Sequence, residues 1–110
     1  ITGACVALHL ACQGLIKSGA IETNPVTELV AAISCGIYQG EPVLDLDYPE
    51  DSNAQADANF VLTERGGIVE IQGTAEEKPF SRAQFNKLLD LARDGTQDLV
   101  KAQRKALGIK

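Results

Sequence analysis

Two short turn signals, Gln39-Gly40 and Gly66-Gly67, each separate a pair of apolar, strand-like runs, and this arrangement constrains the fold more than any other feature. Before the first, Leu29 to Tyr38 is a nearly continuous apolar run ending in Gly36-Ile37-Tyr38. After it, Pro42 to Tyr48 alternates, with Leu44, Leu46 and Tyr48 on one side and Val43, Asp45 and Asp47 on the other. Around the second turn, Ala58, Phe60 and Leu62 alternate against Asn59, Val61 and Thr63, and Ile68 to Gln72 follows with Val69 and Ile71 on one face. Period-two runs joined by short turns read as β-hairpins. The unbroken apolar character of the first run predicts a strand buried on both faces. Four strands in succession predict an antiparallel sheet.

Helical periodicity brackets that sheet. From Ile1 to Ser18 apolar residues fall at 1, 4, 5, 8, 11, 12 and 15, an amphipathic spacing that closes at Lys17 and Gly19. Residues 20–28 form a connector with a turn at Asn24-Pro25. At the other end Ser81 is the expected N-cap, Gln84 completes a capping box, and Phe80 with Phe85 supplies a hydrophobic staple. Apolar positions 85, 88, 89, 92, 99 and 107 mark one face of this helix, and Gly95 is a weak point by helix propensity. The expected order is helix, four strands, helix, an α+β layer with the helices packed on one sheet face.

Composition narrows the function. A chain of 110 residues is at most one domain, and its 45% apolar content suffices for a modest core. The net charge of −5 argues against a stand-alone nucleic-acid binder, which carries a basic stripe. Any polyanion handled here must be met by cations from elsewhere. Cys5, Cys12 and Cys35 are odd in number and lack CxxC spacing, which speaks against a disulfide framework and for a reducing cytoplasm. No apolar run approaches the roughly 20 residues needed to span a bilayer. Because Ile1-Thr2-Gly3-Ala4 already reads as helix with no cap before it, the expectation is a C-terminal portion, residues 1–110, of a longer domain whose N-terminal half is absent.

Chemistry concentrates in Val43-Leu44-Asp45-Leu46-Asp47-Tyr48-Pro49-Glu50-Asp51-Ser52. Pro49 is expected to stop the strand, and a curl after it is expected to bring Asp51 back toward Asp45. Two neighbouring carboxylates share a proton or bind a cation that relieves their repulsion. The same pattern also describes a solvated acidic turn. Elsewhere Cys5, His9 and Cys12 stand at i, i+4 and i+7, but a single helix rarely builds a tetrahedral zinc site, and the cysteines lie on the apolar stripe. Gly73-Thr74-Ala75-Glu76 lacks the glycines of a phosphate loop and reads as a strand exit, and Gln103-Arg104-Lys105 with Lys110 reads as a solvated helix end.

Several of these segments, in order and in register, resemble the C-terminal half of bacterial ribonuclease PH. They are Ile1-Thr2-Gly3-Ala4-Cys5-Val6-Ala7-Leu8, Thr23-Asn24-Pro25, Asp45-Leu46-Asp47-Tyr48 with Glu50-Asp51-Ser52, Glu70-Ile71-Gln72-Gly73-Thr74-Ala75-Glu76 with Pro79-Phe80, and Leu88-Leu89-Asp90-Leu91-Ala92-Arg93. The resemblance implies a phosphate-dependent 3′-to-5′ exoribonuclease that trims the 3′ ends of tRNA precursors, with inorganic phosphate as co-substrate and nucleoside diphosphates as products. It implies Asp45 and Asp51 as catalytic residues and as ligands of Mg²⁺ or Mn²⁺, with Asp57 in a supporting role. It further implies RNA as partner, a homo-oligomeric ring (a hexamer) in the cytoplasm, and no membrane. The family's phosphate-gripping arginines fall upstream of Ile1, so this chain alone should be inactive. A different class, a non-catalytic structural or RNA-binding subunit of a related ring, is the alternative, and a metal-dependent hydrolase using the same acids is a third.

Overall fold

The computed structural model describes residues 1–44 and 55–109. Among them the elements are α1 (Thr2–Lys17), β1 (Val30–Tyr38), β2 (Glu41–Leu44), β3 (Ala56–Thr63), β4 (Ile68–Ala75) and α2 (Arg82–Leu107). The strands form one antiparallel sheet in the order β2-β1-β3-β4. This is the expected α+β order. Gln39 and Gly40, the two residues of the β1–β2 turn, have φ of 53° and 80°. Positive φ at both positions matches the twist of the flanking strands, as two-residue hairpins require.

The core forms where alternate residues of β1 and β3 meet α2. Cys35 and Ile37 of β1 join Ala56, Ala58, Phe60 and Leu62 of β3, and Leu88 and Ala92 of α2 close the cluster. Burying each of the large side chains contributes about 1.5–3 kcal/mol. The Phe60 and Phe85 rings lie 6.2 Å apart, tilted by 40°. A second cluster, Leu29, Val100 and Leu107 with Cys5, Val6 and Ile109, fastens α1 to the far end of α2.

Both ends of α2 are closed locally. The Ser81 N–H donates to Gln84 Oε1 (2.8 Å) and the Gln84 N–H donates to Ser81 Oγ (3.1 Å), so the capping box is formed. At the C-terminus Gly108 turns left-handed (φ 71°) and the Ile109 N–H reaches the Arg104 carbonyl.

Four expectations change. Gly95 is no weak point: an added β-carbon would stand 2.4 Å from Ile33 Cδ1 and 3.1–3.2 Å from the Leu44 methyl groups, so glycine lets α2 seat on β1 and β2. β1 is not buried on both faces. Ala31, Cys35 and Ile37 are buried toward α2 with Ile33 half-buried, whereas on the opposite face only Gly36 is buried and Ala32 and Ser34 are half-buried. A β-bulge between Val61 and Leu62 sets Ile68 opposite Leu62 and Ile71 opposite Phe60, which separates Val69 from the face assigned to it. Finally, most of the apolar stripe expected to anchor α1 points outward: Ile1, Ala4, Leu8, Ala11 and Leu15 are exposed. The buried side is centred on Cys12, flanked by half-buried Cys5, His9 and Ile16. Among the described residues no helix is long and apolar enough to cross a membrane.

Candidate active-site region

Asp45 and Asp51 lie outside the described residues, as do Asp47 and Glu50. The structure shows how the segment that carries them is held at its two ends. On the entry side β2 delivers Leu44, which pairs with Cys35 of β1 and packs beneath Gly95. On the exit side Gln55 is fastened three ways. Its N–H donates to the Ile37 carbonyl (2.7 Å), its carbonyl accepts from the Glu76 N–H (3.0 Å), and its Oε1 accepts from the Gly40 N–H (2.9 Å).

Leu44 and Gln55 therefore stand on opposite sides of β1, anchored at Cys35 and Ile37, two positions apart on one strand. Sequence reasoning missed Gln55, because its side-chain partner lies fifteen residues away in a turn. The residues on either side of positions 45–54 thus rest on the sheet. Asp57, two residues further on, is half-buried in β3 opposite Gly36 and Thr74. It shares the sheet face of Asn59, away from α2.

That face meets the start of α1. Thr2 Oγ1 accepts from the Ala32 N–H (3.1 Å), filling a donor on the edge of β1. The buried Gln103 donates through Nε2 to the carbonyls of Thr2 (3.1 Å) and Val30 (2.9 Å), joining α2, α1 and β1 at one point. Two acceptors on the same nitrogen fix the orientation of the amide. Its Oε1 and the Thr96 hydroxyl are buried without a hydrogen-bond partner among the described residues. Between Ile1, Thr2 and the sheet opens a cavity of about 480 Å³ lined by Ser34, Asn59, Glu70 and Gln72. Within it the Ser34 hydroxyl donates to Asn59 Oδ1 (2.6 Å).

The remaining polar groups build the scaffold. Cys5 packs into the second core cluster, Cys12 is buried, and the Asn24 amide meets His9 Nδ1 at 3.3 Å, so these three side chains act in packing and in fastening the connector. Arg104 donates through Nε (2.7 Å) and Nη2 to Glu64 Oε1, and Gln97 donates to the Glu64 carbonyl. The Gln103-Arg104 pair is thus not a solvated helix end: the first is buried and the second is half-buried in an ion pair. Lys105 is exposed, and Lys110 lies outside the described residues. Glu28 accepts from the Arg65 N–H (2.8 Å). That bond, a second from the Thr63 side chain and the nearby Arg65 charge together hold its carboxyl below the ordinary range.

Comparison with known proteins agrees with this architecture. Residues 28–95 match the model of the 3′ exoribonuclease family, domain 2. The chain is 59% identical to ribonuclease PH of Methylorubrum populi over 107 residues, 97% of this chain and 45% of that protein. It is 56% identical to ribonuclease PH of Caulobacter vibrioides over 108 residues, 98% of this chain and 45% of the relative. The chain thus spans about half the length of these relatives, in their C-terminal part. Among solved structures, rice (Oryza sativa) Rrp46 superimposes with a TM-score of 0.66 at 20% identity, covering 93% of this chain and 46% of that one. The Archaeoglobus fulgidus exosome with RNA bound to the active site gives 0.61 at 18% identity, covering 72% of this chain and 31% of that one. Both share the fold described above. By the domain match and by identity across nearly all its residues, the chain belongs to the 3′ exoribonuclease family and resembles the C-terminal part of ribonuclease PH.

Proposed function

We propose that this chain is the carboxylate-bearing, C-terminal portion of a phosphate-dependent 3′-to-5′ exoribonuclease that trims the 3′ ends of tRNA precursors. The observation that carries the reading is the 59% identity to a ribonuclease PH across 97% of the chain. The anchoring of Leu44 and Gln55 on β1, to either side of the acidic positions in the chain, supports it.

In this reaction an oxygen of inorganic phosphate attacks the terminal phosphodiester. The bond from phosphorus to the 3′-oxygen of the preceding nucleotide breaks, and a nucleoside diphosphate departs. The released 3′-oxygen needs a proton, and Asp51 meets that need either as the general acid or, as a carboxylate, through the cation. An all-oxygen carboxylate set suits a hard divalent cation, so Asp45 and Asp51 would hold Mg²⁺ or Mn²⁺. When bound, such an ion offsets charge on the phosphoryl oxygens. The cations that grip the attacking phosphate come from outside this chain, in keeping with its net charge of −5. The complete protein works in the cytoplasm as a homo-hexameric ring on RNA, and the 110-residue chain by itself is inactive.

The test is product analysis with the complete protein, on a tRNA precursor with and without phosphate. Nucleoside diphosphates that appear only when phosphate is present support the reading. Nucleoside monophosphates formed without phosphate would make the protein a hydrolase. RNA binding with no product in either case would make it a non-catalytic subunit.

A further inference from the structure

Alternation along a strand decides what a sheet shows on each face. Toward α2, β3 puts Ala56, Ala58, Phe60 and Leu62 into the core. On the opposite face the strand register lays down two cross-strand rows. One is polar throughout: Ser34 of β1, Asn59 of β3 and Gln72 of β4. The next, two residues along, runs from Ala32 through Val61 to Glu70, apolar at its first two positions and acidic at the third. From the spacing of strands and residues each row spans about 10 Å and the rows stand about 7 Å apart, enough for one nucleobase. Both rows line the cavity of about 480 Å³, which the start of α1 walls on one side. That volume falls within the range of small-molecule sites.

The polar groups have a direction. The Ser34 hydroxyl donates to Asn59 Oδ1 at 2.6 Å, which turns the amide so that Asn59 offers a ligand its Nδ2, a donor. Glu70, on the neighbouring strand, offers a carboxylate, an acceptor when ionised. The floor between them is Ala32 and Val61. Among the described residues that line the cavity there is no lysine or arginine, and Glu70 repels anions, so a phosphate group does not belong here. What fits is a flat, uncharged ring that lies on the apolar floor and carries a donor beside an acceptor on one edge. Adenine and cytosine have that edge, an exocyclic amino group next to a bare ring nitrogen. Uracil and guanine carry an N–H at the ring position, which Asn59 Nδ2 cannot accept. Unpaired RNA bases are read on this edge by side-chain hydrogen bonds.

We propose that the cavity takes the 3′-terminal base of the RNA and favours adenine and cytosine over uracil and guanine. Asn59 and Glu70 read the edge, and Ser34 is a positioning residue that orients the Asn59 amide. This rests on the reading of the chain as part of a phosphorolytic exoribonuclease. The placement suits it: Asp57 is two residues from Asn59 on the same sheet face, and Ser34 adjoins Cys35, the strand partner of Leu44.

The test uses the complete protein and four short single-stranded RNAs that differ only in the 3′-terminal base. Fluorescence anisotropy without phosphate reads binding, and nucleoside diphosphate release with phosphate reads the reaction. RNAs ending in adenine or cytosine should bind about tenfold more tightly than those ending in uracil or guanine, at the low end of what one paired base contact discriminates. Asn59→Asp puts an acceptor where the donor stood and should turn the preference to guanine, whose ring N–H and amino group then face two acceptors. Asn59 is exposed, so the exchange leaves the core intact. Ser34→Ala frees the amide to rotate and should shrink the preference. Equal binding of all four RNAs by the wild-type protein overturns the proposal. An unchanged order of preference in Asn59→Asp also overturns it, and is the result expected if another part of the polypeptide fills the cavity. Base preference in binding without phosphate-dependent release removes the functional reading alone. Diphosphate release with equal affinity and rate for all four RNAs removes the cavity assignment alone, and binding of none of them removes both.

Discussion

Gly95 of α2 lies directly against Leu44 of β2, so close that a β-carbon on the glycine would come within 3.1 Å of the leucine side chain. Leu44 immediately precedes Asp45 in the chain, so this close helix–sheet contact sits at the entry to the acidic segment.

Gly95→Ala should therefore destabilise the protein, although alanine is the better helix former. The helix gains about 1 kcal/mol from losing glycine. Overpacking against Ile33 and Leu44 costs about 1–3 kcal/mol and acts in the opposite direction. Chemical denaturation should show a lowered midpoint. A raised midpoint would mean that α2 slides away from β2 without cost.

Gln103→Leu removes the donor shared by the Thr2 and Val30 carbonyls. The leucine fills much of the same space, so the loss should come from unsatisfied acceptors, about 1–3 kcal/mol. Hydrogen exchange should also quicken at the Ala32 amide, which donates to Thr2. An unchanged exchange rate there would show that the start of α1 is held by other contacts.

The acid sensitivity of stability should fall in Glu28→Gln. In the folded protein Glu28 titrates below 4.5 because the Arg65 N–H and then the Thr63 side chain bond its charged form. A depressed carboxyl contributes stability that is fully present above the unfolded value of about 4.5 and is lost as pH falls through the folded value. Wild type and variant should differ most near neutrality and converge as the pH drops below 4.5. Parallel stability curves would contradict this.

Gln55→Ala tests the exit anchor. Its bond to the Gly40 N–H is solvent-exposed, so the stability cost should be small, about 0.5–1.5 kcal/mol. The turnover of the complete enzyme should fall by about tenfold, since slight misplacement of a reactive group is costly. Gln55→Glu keeps the acceptor and should recover much of the loss. Equal activity of wild type and Gln55→Ala would show that the anchor does not position the acids.

The elements legible in the sequence were those set by local chemistry. Ser81 and Gln84 announce the start of α2 because a capping box is written within four residues. Gly40 and Gly66 announce the turns because their φ of 80° and 89° favours glycine. What escaped depended on partners remote in the chain. Gly95 reads as a helix defect until Ile33 and Leu44 are seen beneath it, and Gln103 reads as surface until two carbonyls are found around it. The outward stripe of α1 was visible as a stripe, but periodicity does not say which neighbour it faces. For the candidate site, Asp45 and Asp51 were legible as acids next to a strand-breaking proline and lie outside the described residues. Gln55 carried no signal at all, being an isolated glutamine.

The central claim is that Asp51 serves phosphorolysis. The most direct measurement is the rate of nucleoside diphosphate release from a tRNA precursor by the complete protein, wild type against Asp51→Asn, at saturating phosphate and Mg²⁺. The account predicts a rate loss of about 100-fold or more, the range expected for removing a general acid, with RNA binding retained. An Asp51→Asn protein that releases diphosphates at the wild-type rate would contradict it.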